Sequence, residues 1–420
     1  MNWSAQAIRD ASRAGDYGRV VNLARTAAGV SQKQLGEACG ISQSAVSRME
    51  SHGTATYNMT LLARAATHLH IPPRLVGLAD HTAAHATHVD GTEVERRNFL
   101  AGAAAVATAP ALAALPAHHG HSGDGQAATL RLATSAFRRM DGSTPSRHLT
   151  EPVLAHLRLT QTIASETEHE DQRARLAAVG SEAASLAGWL AWDMGDYGSA
   201  RTWYGNAIKT ARRAADPLLA AYQLGSLAQF EAHAGNAAQG LDLVRAARRQ
   251  LGDGRPAIAE AWLCTVEALA HAAAGDSGAA DTALAGAERS AERIAIEEPP
   301  PWPWVFTFSE SKVAACRLSC GARLGLPNWV FGAQDAAGAV LSSRHDKQRA
   351  LLILDVASGH MAAGRLDGAF ALATRAVETG LRYRSGRIVE RARALRRAYT
   401  SATPPKVVRD LDERLHGVYL

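Results

Sequence analysis

Only four cysteines occur in 420 residues, Cys39, Cys264, Cys316 and Cys320, and no two form a Cys-x-x-Cys pair. That excludes a disulfide scaffold and predicts buried apolar thiols. Aromatic residues make up 5% of the chain. Charge of one sign is also scarce: 45 Lys+Arg face 40 Asp+Glu, a net of +5, so the basic pI of 9.2 names no polyanionic partner unless those charges cluster. No stretch reaches the density of large apolar residues that a bilayer-crossing segment of roughly 20 residues needs. The start, MNWSAQAIRD, lacks a basic stretch followed by an apolar core. A cytoplasmic protein without membrane contact is expected. P-loop, Gly-x-Ser-x-Gly and His-Glu-x-x-His motifs are all missing, so neither enzyme activity nor a cofactor is expected.

What is abundant is alanine, about a fifth of the chain. Alanine is the strongest helix former, and the fold class predicted is all-α. Composition divides the chain into three. Residues 1–80 carry ordinary helix patterning with turn signals. Residues 81–125 are rich in His, Ala, Gly and Pro and read as a linker, including the loop-like HHGHSGDGQ at 118–126. Within it, Arg96-Arg97-Asn98-Phe99-Leu100 followed by an Ala-rich run is similar to a twin-arginine export signal, but its internal position predicts an interdomain segment. His81, His85 and His88 would share a helix face, with His118, His119 and His121 following; no cysteine or acid lies at ligand spacing, and no metal site is expected.

Residues 126–420 contain a repeat. Gly195-Asp196-Tyr197, Gly235-Asn236-Ala237 and Gly275-Asp276-Ser277 are spaced 40 apart, Gly364-Arg365-Leu366 follows, and a poorer unit centres on Gly325. Five residues after each clear Gly stands Ala200, Gly240, Ala280 or Ala369, and twelve after it Ala207, Ala247, Ala287 or Ala376. Small residues at fixed offsets let paired helices approach closely, and glycine supplies the left-handed turn between them. The pattern resembles tetratricopeptide repeats, with GDYGSARTWYGNAI at 195–208 the best match. The resemblance implies a helical solenoid over 126–420.

Residues 18–78 carry the most specific signal. Ser31-Gln32-Lys33-Gln34 reads as a capping box opening a helix that buries Leu35, Ala38 and Cys39 and stops at Gly40. Gly36 would let a second helix cross closely. Ser42 caps that second helix, on which Ala45, Val46 and Met49 face inward while Gln43, Ser44, Ser47 and Arg48 face out. Two short helices joined by a Gly turn form a helix-turn-helix. The outward set suits DNA: Gln pairs with adenine N6/N7, Arg with guanine O6/N7, and Ser with base edges or phosphate. Residues 1–80 hold eight Lys/Arg and five acids, a local excess of three.

The segment resembles the Cro/repressor-like, or XRE-type, DNA-binding domain. Gln32, Gly40, Ser42, Gln43, Ser44, Val46, Ser47, Arg48 and Glu50 stand in that family's pattern, and Gly36 replaces its usual Ala. The resemblance implies a five-helix domain, with Leu61, Leu62, Ala65, Leu69 and Ile71 on the fourth and fifth helices. It makes Gln43, Ser44, Ser47 and Arg48 base-reading candidates, and Gln32, Ser42 and Arg25 phosphate candidates. The whole chain is similar to helix-turn-helix/tetratricopeptide regulators common in actinobacteria. That implies a homodimer on a palindromic double-stranded DNA operator, controlled by a peptide or small-molecule effector.

For the effector site, Glu297 to Glu310 contains a proline run followed by clustered aromatics. Trp302, Trp304, Phe308 and Glu310 are the candidates, with Arg201, Arg245 and Arg249 supplying charge for a carboxylate; Trp189, Trp192, Trp203, Tyr204 and Trp262 precede them in the repeats. The other reading is a scaffold or adaptor whose solenoid binds proteins and whose helix-turn-helix is vestigial.

Overall fold

The structure is a computed structural model that describes residues 3, 5–51, 53, 59–78, 122–253, 255–294, 308–343 and 345–418. Among them there are α-helices, one 3-10 turn and no strands. The N-terminal unit comprises α1 (Gln6–Ala14), α2 (Tyr17–Ala27), α3 (Gln32–Cys39), α4 (Gln43–Glu50), α5 (Met59–His68) and a 3-10 turn (Pro73–Val76). Its core gathers Val20, Val21, Leu35, Val46, Leu62, Ala65 and Ile71. Two expectations need correction. Ala38 is exposed, and Gly36 takes its place on the buried stripe with Leu35 and Cys39. The anticipated fifth helix is only a four-residue 3-10 turn that opens at Pro73 and is closed after one turn by the left-handed Gly77, φ 71°.

The remaining chain is a succession of antiparallel helices: α6 (Ser122–Asp141), α7 (Ser146–Glu166), α8 (Glu170–Asp193), α9 (Tyr197–Arg213), α10 (Pro217–Ala234), α11 (Ala237–Leu251), α12 (Ala257–Ala274), α13 (Ser277–Ala291), α14 (Glu310–Leu324), α15 (Pro327–Gln334), α16 (Gly338–Leu341), α17 (Asp346–Ala362), α18 (Leu366–Arg382), α19 (Gly386–Ala398) and α20 (Lys406–Leu415). Helix α6 begins at Ser122, so half of the segment expected to be a loop at 118–126 is helical. Its Gly123 and Gly125 do not prevent this, because the helix is held by packing of Ala127 and Leu130 on α8.

The hairpins α8/α9, α10/α11, α12/α13, α14/α15 and α17/α18 follow the repeat seen in the sequence. Gly195, Gly235, Gly275, Gly325 and Gly364 all have positive φ, between 67° and 93°. The side chains of Asp196 and Asp276 cap the helices that follow. Every small-residue position is buried, and the alanines among them are fully so. The Gly325 unit does depart from the pattern: its second helix breaks after Gln334 and resumes as the short α16.

The array closes on itself. Helix α19 returns to pack on α8, and a Cβ on Gly386 would stand 2.4 Å from the Met194 carbonyl oxygen, so glycine there permits the backbone contact. Beside that seam, the fully buried Lys347 of α17 donates to Asp141, to Ser146 Oγ (2.8 Å) and to Asp193 (3.1 Å). Asp193 also accepts from Ser146 Oγ and Ser385 Oγ, both at 2.6 Å, and Asp141 from Trp189 Nε1 at 2.8 Å. One ammonium thus joins the first helices of the array to α17, and Ser385 adds the start of α19 through Asp193.

Burial alone would push the Asp141 carboxyl up; the hydrogen bonds from His345 and Lys347, and the lysine's charge, outweigh it and bring the pKa from 3.8 down to about 2. A folded-state pKa below the unfolded one contributes stability that is full above about pH 4 and lost as pH falls through 2, about 2 kcal/mol here. Lys347→Ala leaves two buried carboxylates without their cation, and about 3–5 kcal/mol of stability should be lost. Urea unfolding would read this as a lower midpoint at pH 7. A variant that keeps the wild-type midpoint and radius of gyration would show that the latch does not hold the seam.

Candidate functional site

The turn between α3 and α4 is built as the sequence demands. Ser31 Oγ accepts from the Gln34 backbone, the Gln34 side chain accepts from the Ser31 N–H, and Gly40 ends α3 at φ 70°. Ser42 Oγ caps α4 by accepting from Ala45 N at 3.2 Å. Gly36 is required by proximity: a Cβ there would lie 2.7 Å from Ile41 O. Val46 and Met49 anchor α4 in the core, which leaves Gln43, Ser44, Ser47 and Arg48 exposed along one face. None of the four base-reading candidates is covered by the helical array. Their backbone is fixed by the core, and their side chains are open to a groove.

The phosphate candidates fare differently. Arg25 is held by Glu50 through Nε (2.5 Å) and Nη2 (3.0 Å), and its Nη1 donates to Val30 O at 2.8 Å. The Glu50 carboxylate also accepts from Asn22 Nδ2 (2.9 Å) and Gln32 Nε2 (2.8 Å). Burial pushes Glu50 up, but the hydrogen bonds from Arg25, Gln32 and Asn22 prevail and hold it below the usual carboxylate range. Arg25 is thus a corrected assignment: a bidentate pair neutralises its charge and ties α2 to α4. Gln32 belongs to the same cluster, while Ser42 remains exposed at the α4 N-terminus with Oγ 2.9 Å from Ser44 Oγ.

The opposite side of the domain docks on the array at its seam. Arg13 Nη2 pairs with Glu390 of α19 at 3.0 Å, and Arg9 lies 3.7 Å from the same carboxylate. Arg201 of α9 pairs with the fully buried Glu231 at 2.7 Å and donates to the Arg13 carbonyl. Gly77 and Gly198 meet backbone to backbone, with Tyr17 against both. Arg201, expected to bind a ligand, is therefore an interdomain residue, committed to Glu231 and the Arg13 carbonyl. Its helix, α9, is one partner at the seam and α19 the other.

Inside the closed array lies a cavity of about 970 Å³, bordered by the first helix of each hairpin together with α6 and α19. Phe308 lines it, as do Trp189, Trp192, Tyr204 and Trp262. Trp203 instead packs in the core beside α7. Trp302 and Trp304 lie outside the described residues. Three further assignments are corrected. Arg245 pairs with Asp242 on the exposed face of α11, Arg249 is exposed on the same outer helix, and Glu310 is exposed at the start of α14; none borders the cavity. On this outer helix Arg245 and Arg249 face solvent, while Arg248 turns back to Glu260 and Glu267 of α12. The inward cations are Arg138, Lys312, Arg323, Arg387 and Arg391, which sequence inspection passed over. Lys312 and Arg323 fall on a first helix, where the helix parity of the repeat was an available signal, and Arg138, Arg387 and Arg391 on α6 and α19, where it was not.

Glu50→Ala would strand Arg25 and remove the acceptor shared by Asn22 and Gln32. It is expected to cost about 3 kcal/mol, the scale for breaking a buried charge pair from one side. Hydrogen exchange at α2 and α4 would accelerate while α12 and α13 exchange as before; unchanged protection of α4 would contradict this role.

Residues 16–78 match the family model described as a helix-turn-helix domain, from the Asp16 cap of α2 to just past the 3-10 turn. No curated protein and no solved structure matches the chain. The N-terminal region is thus a helix-turn-helix domain, to which α1 is an addition outside the matched residues and the helical array a second region.

Proposed function

We propose that this chain is a sequence-specific, XRE-type DNA-binding transcriptional regulator, acting in the cytoplasm as a homodimer on a palindromic operator, with a tetratricopeptide-like region that senses an effector. The observation that carries the reading is the α4 face: Gln43, Ser44, Ser47 and Arg48 stand exposed on a helix whose other side is locked in a core. Four such side chains make few base contacts, and two copies on successive half-sites supply the affinity that one lacks. The adaptor reading loses support from the closure of the array, since an open concave groove is what an adaptor offers to an extended partner.

Effector control follows from the seam. Helix α19 carries Arg387, which borders the cavity, and one turn later Glu390, which holds Arg9 and Arg13 of the DNA-binding domain. A ligand that displaces Arg387 moves Glu390 with it, so cavity occupancy and domain docking share one rigid element. The two docked domains of a dimer are then spaced differently with and without ligand, and only one spacing fits two half-sites.

A salt-titrated binding assay on the chain's own upstream DNA tests the first part. Affinity should fall steeply with salt, and the footprint should cover two half-sites about 10 base pairs apart, centre to centre. Gln43→Ala and Arg48→Ala should each weaken specific binding at least about tenfold, from 1–3 kcal/mol per base pairing lost, with unfolding midpoints unchanged. Wild-type affinity in both variants would sink the reading.

The coupling has its own test. Glu390→Gln removes the charge that Arg9 and Arg13 share, and amide exchange in α1 should speed up while that of α3 stays as it is. Identical α1 exchange in the variant would mean that this contact does not hold the domain.

A further inference from the structure

The cavity's charges do not balance. Its lining carboxylates are all committed: Asp141 to Lys347, Asp355 to Arg391 and Ser319, and Glu390 to Arg13 and Arg397. Three guanidiniums at the wall have no carboxylate partner among the described residues. Arg138 donates to Tyr222 Oη at 2.9 Å and to the Glu182 carbonyl at 3.2 Å. Arg323 donates to the carbonyls of Ala232 (2.5 Å) and His233 (3.2 Å), at the C-terminal end of α10. Arg387 makes no hydrogen bond or ion pair among the described residues. It lies over Trp192, 3.6 Å from the ring centroid, and 5.2 Å from that of Trp189.

Burying uncompensated positive charge is costly, and the pKa values register that cost. Burial, with repulsion from Arg391, brings both Arg323 and Arg387 down to about 10. The same burial, with Arg387, Arg323 and Arg391 around it, drives His233 well below its ordinary value and keeps it neutral. The carboxylate nearest in effect to Arg387, Asp193, is already shared by Lys347, Ser146 and Ser385. The wall around these cations is mixed, with an apolar part formed by Trp262, Leu269, Phe308 and Leu351, and Tyr222 stacks on Trp262. The volume is at the upper end of the range for small-molecule sites.

We infer that the cavity binds an organic anion, its carboxylate or equivalent oxyanion on the guanidiniums of Arg387 and Arg323 and its apolar body against Trp262 and Phe308. Guanidinium forks match carboxylate geometry, and a ring face beneath Arg387 holds that fork flat toward the incoming group. The inference deepens the effector reading above, on which it rests for its regulatory meaning. The binding test needs no DNA, so a failure here leaves the operator assay standing, and a failure there leaves the cavity.

The probe is 1-anilinonaphthalene-8-sulfonate, an aromatic body with one anionic group, compared on the full chain with its uncharged counterpart N-phenyl-1-naphthylamine. One probe per chain is expected, with energy transfer from tryptophan, and the sulfonate should bind at least tenfold more tightly than the neutral compound. Arg387→Leu should reduce that preference at least tenfold. Should that variant not fold, Arg323→Leu and the wild-type comparison of charged and neutral probes carry the test. Competitors separate the two sources of such an anion. Displacement by an aromatic tripeptide with a free C-terminus, but not by its amide, assigns the oxyanion to a peptide end; displacement by 1-naphthoate alone assigns it to a small organic acid. Equal binding of charged and neutral probes, or wild-type preference in folded Arg387→Leu and Arg323→Leu, would overturn the inference.

Discussion

Lys347 is the residue on which the architecture of the helical region turns. Its ammonium, buried with Asp141 and Asp193, reaches carboxylates from the start of the array while itself belonging to α17, far along the chain. A stack of helix pairs has no intrinsic reason to close, since each pair contacts only its neighbours. Closure must be specified, and a buried ionic cluster does so by making misregister expensive: a shift of one turn along α17 would leave two carboxylates without a counter-charge. The hydrogen bonds from Ser146, Ser385 and Trp189 satisfy the remaining lone pairs, and without them the pair would not repay its desolvation.

From closure follow both the cavity and the docking platform. An open solenoid would expose Trp189 and Trp192 to bulk water; the returning α19 covers them with Arg387. The same return brings Glu390 beside α9, so that the helix-turn-helix domain meets two helices from opposite ends of the array at once. The domain's contact there is small and ionic, centred on Arg9, Arg13, Arg201 and a backbone approach at Gly77 and Gly198.

How much of this was legible in the chain differs by scale. The turn of the helix-turn-helix, its caps and its exposed face are local, set by residues within about ten positions of each other, and Ser31, Gly40, Ser42 and the α4 face are where the sequence places them. The repeat was legible for the same reason, through glycines at positive φ and alanines at close helix crossings. What could not be read was any pairing across long separation. Arg25 and Glu50 lie 25 residues apart, Arg201 and Arg13 188, Lys347 and Asp141 206. A lone Arg on a polar helix face looks the same whether it meets solvent, a carboxylate or a ligand. Arg201 and Arg387 thus look alike in sequence, although one is bonded to a buried carboxylate and the other lies over a tryptophan ring.

The magnitudes also constrain how the molecule can switch. A ligand moves an equilibrium only by its differential affinity for the two states, and reversing a 1:99 balance takes about 5.5 kcal/mol. The Arg9 and Arg13 contacts with Glu390 are partly buried, and the few kcal/mol that such pairs represent is of the order that one bound ligand can offset. The Lys347 cluster is not. Breaking it costs several kcal/mol, and a ligand that opened the ring would have to supply that in addition to its own binding. Under the proposed effector control, the economical motion keeps the latch closed and moves α19 locally, beyond Ser385, which is bonded to Asp193. Arg387 and Glu390 lie two and five residues beyond Ser385, close enough that a small tilt is felt at both.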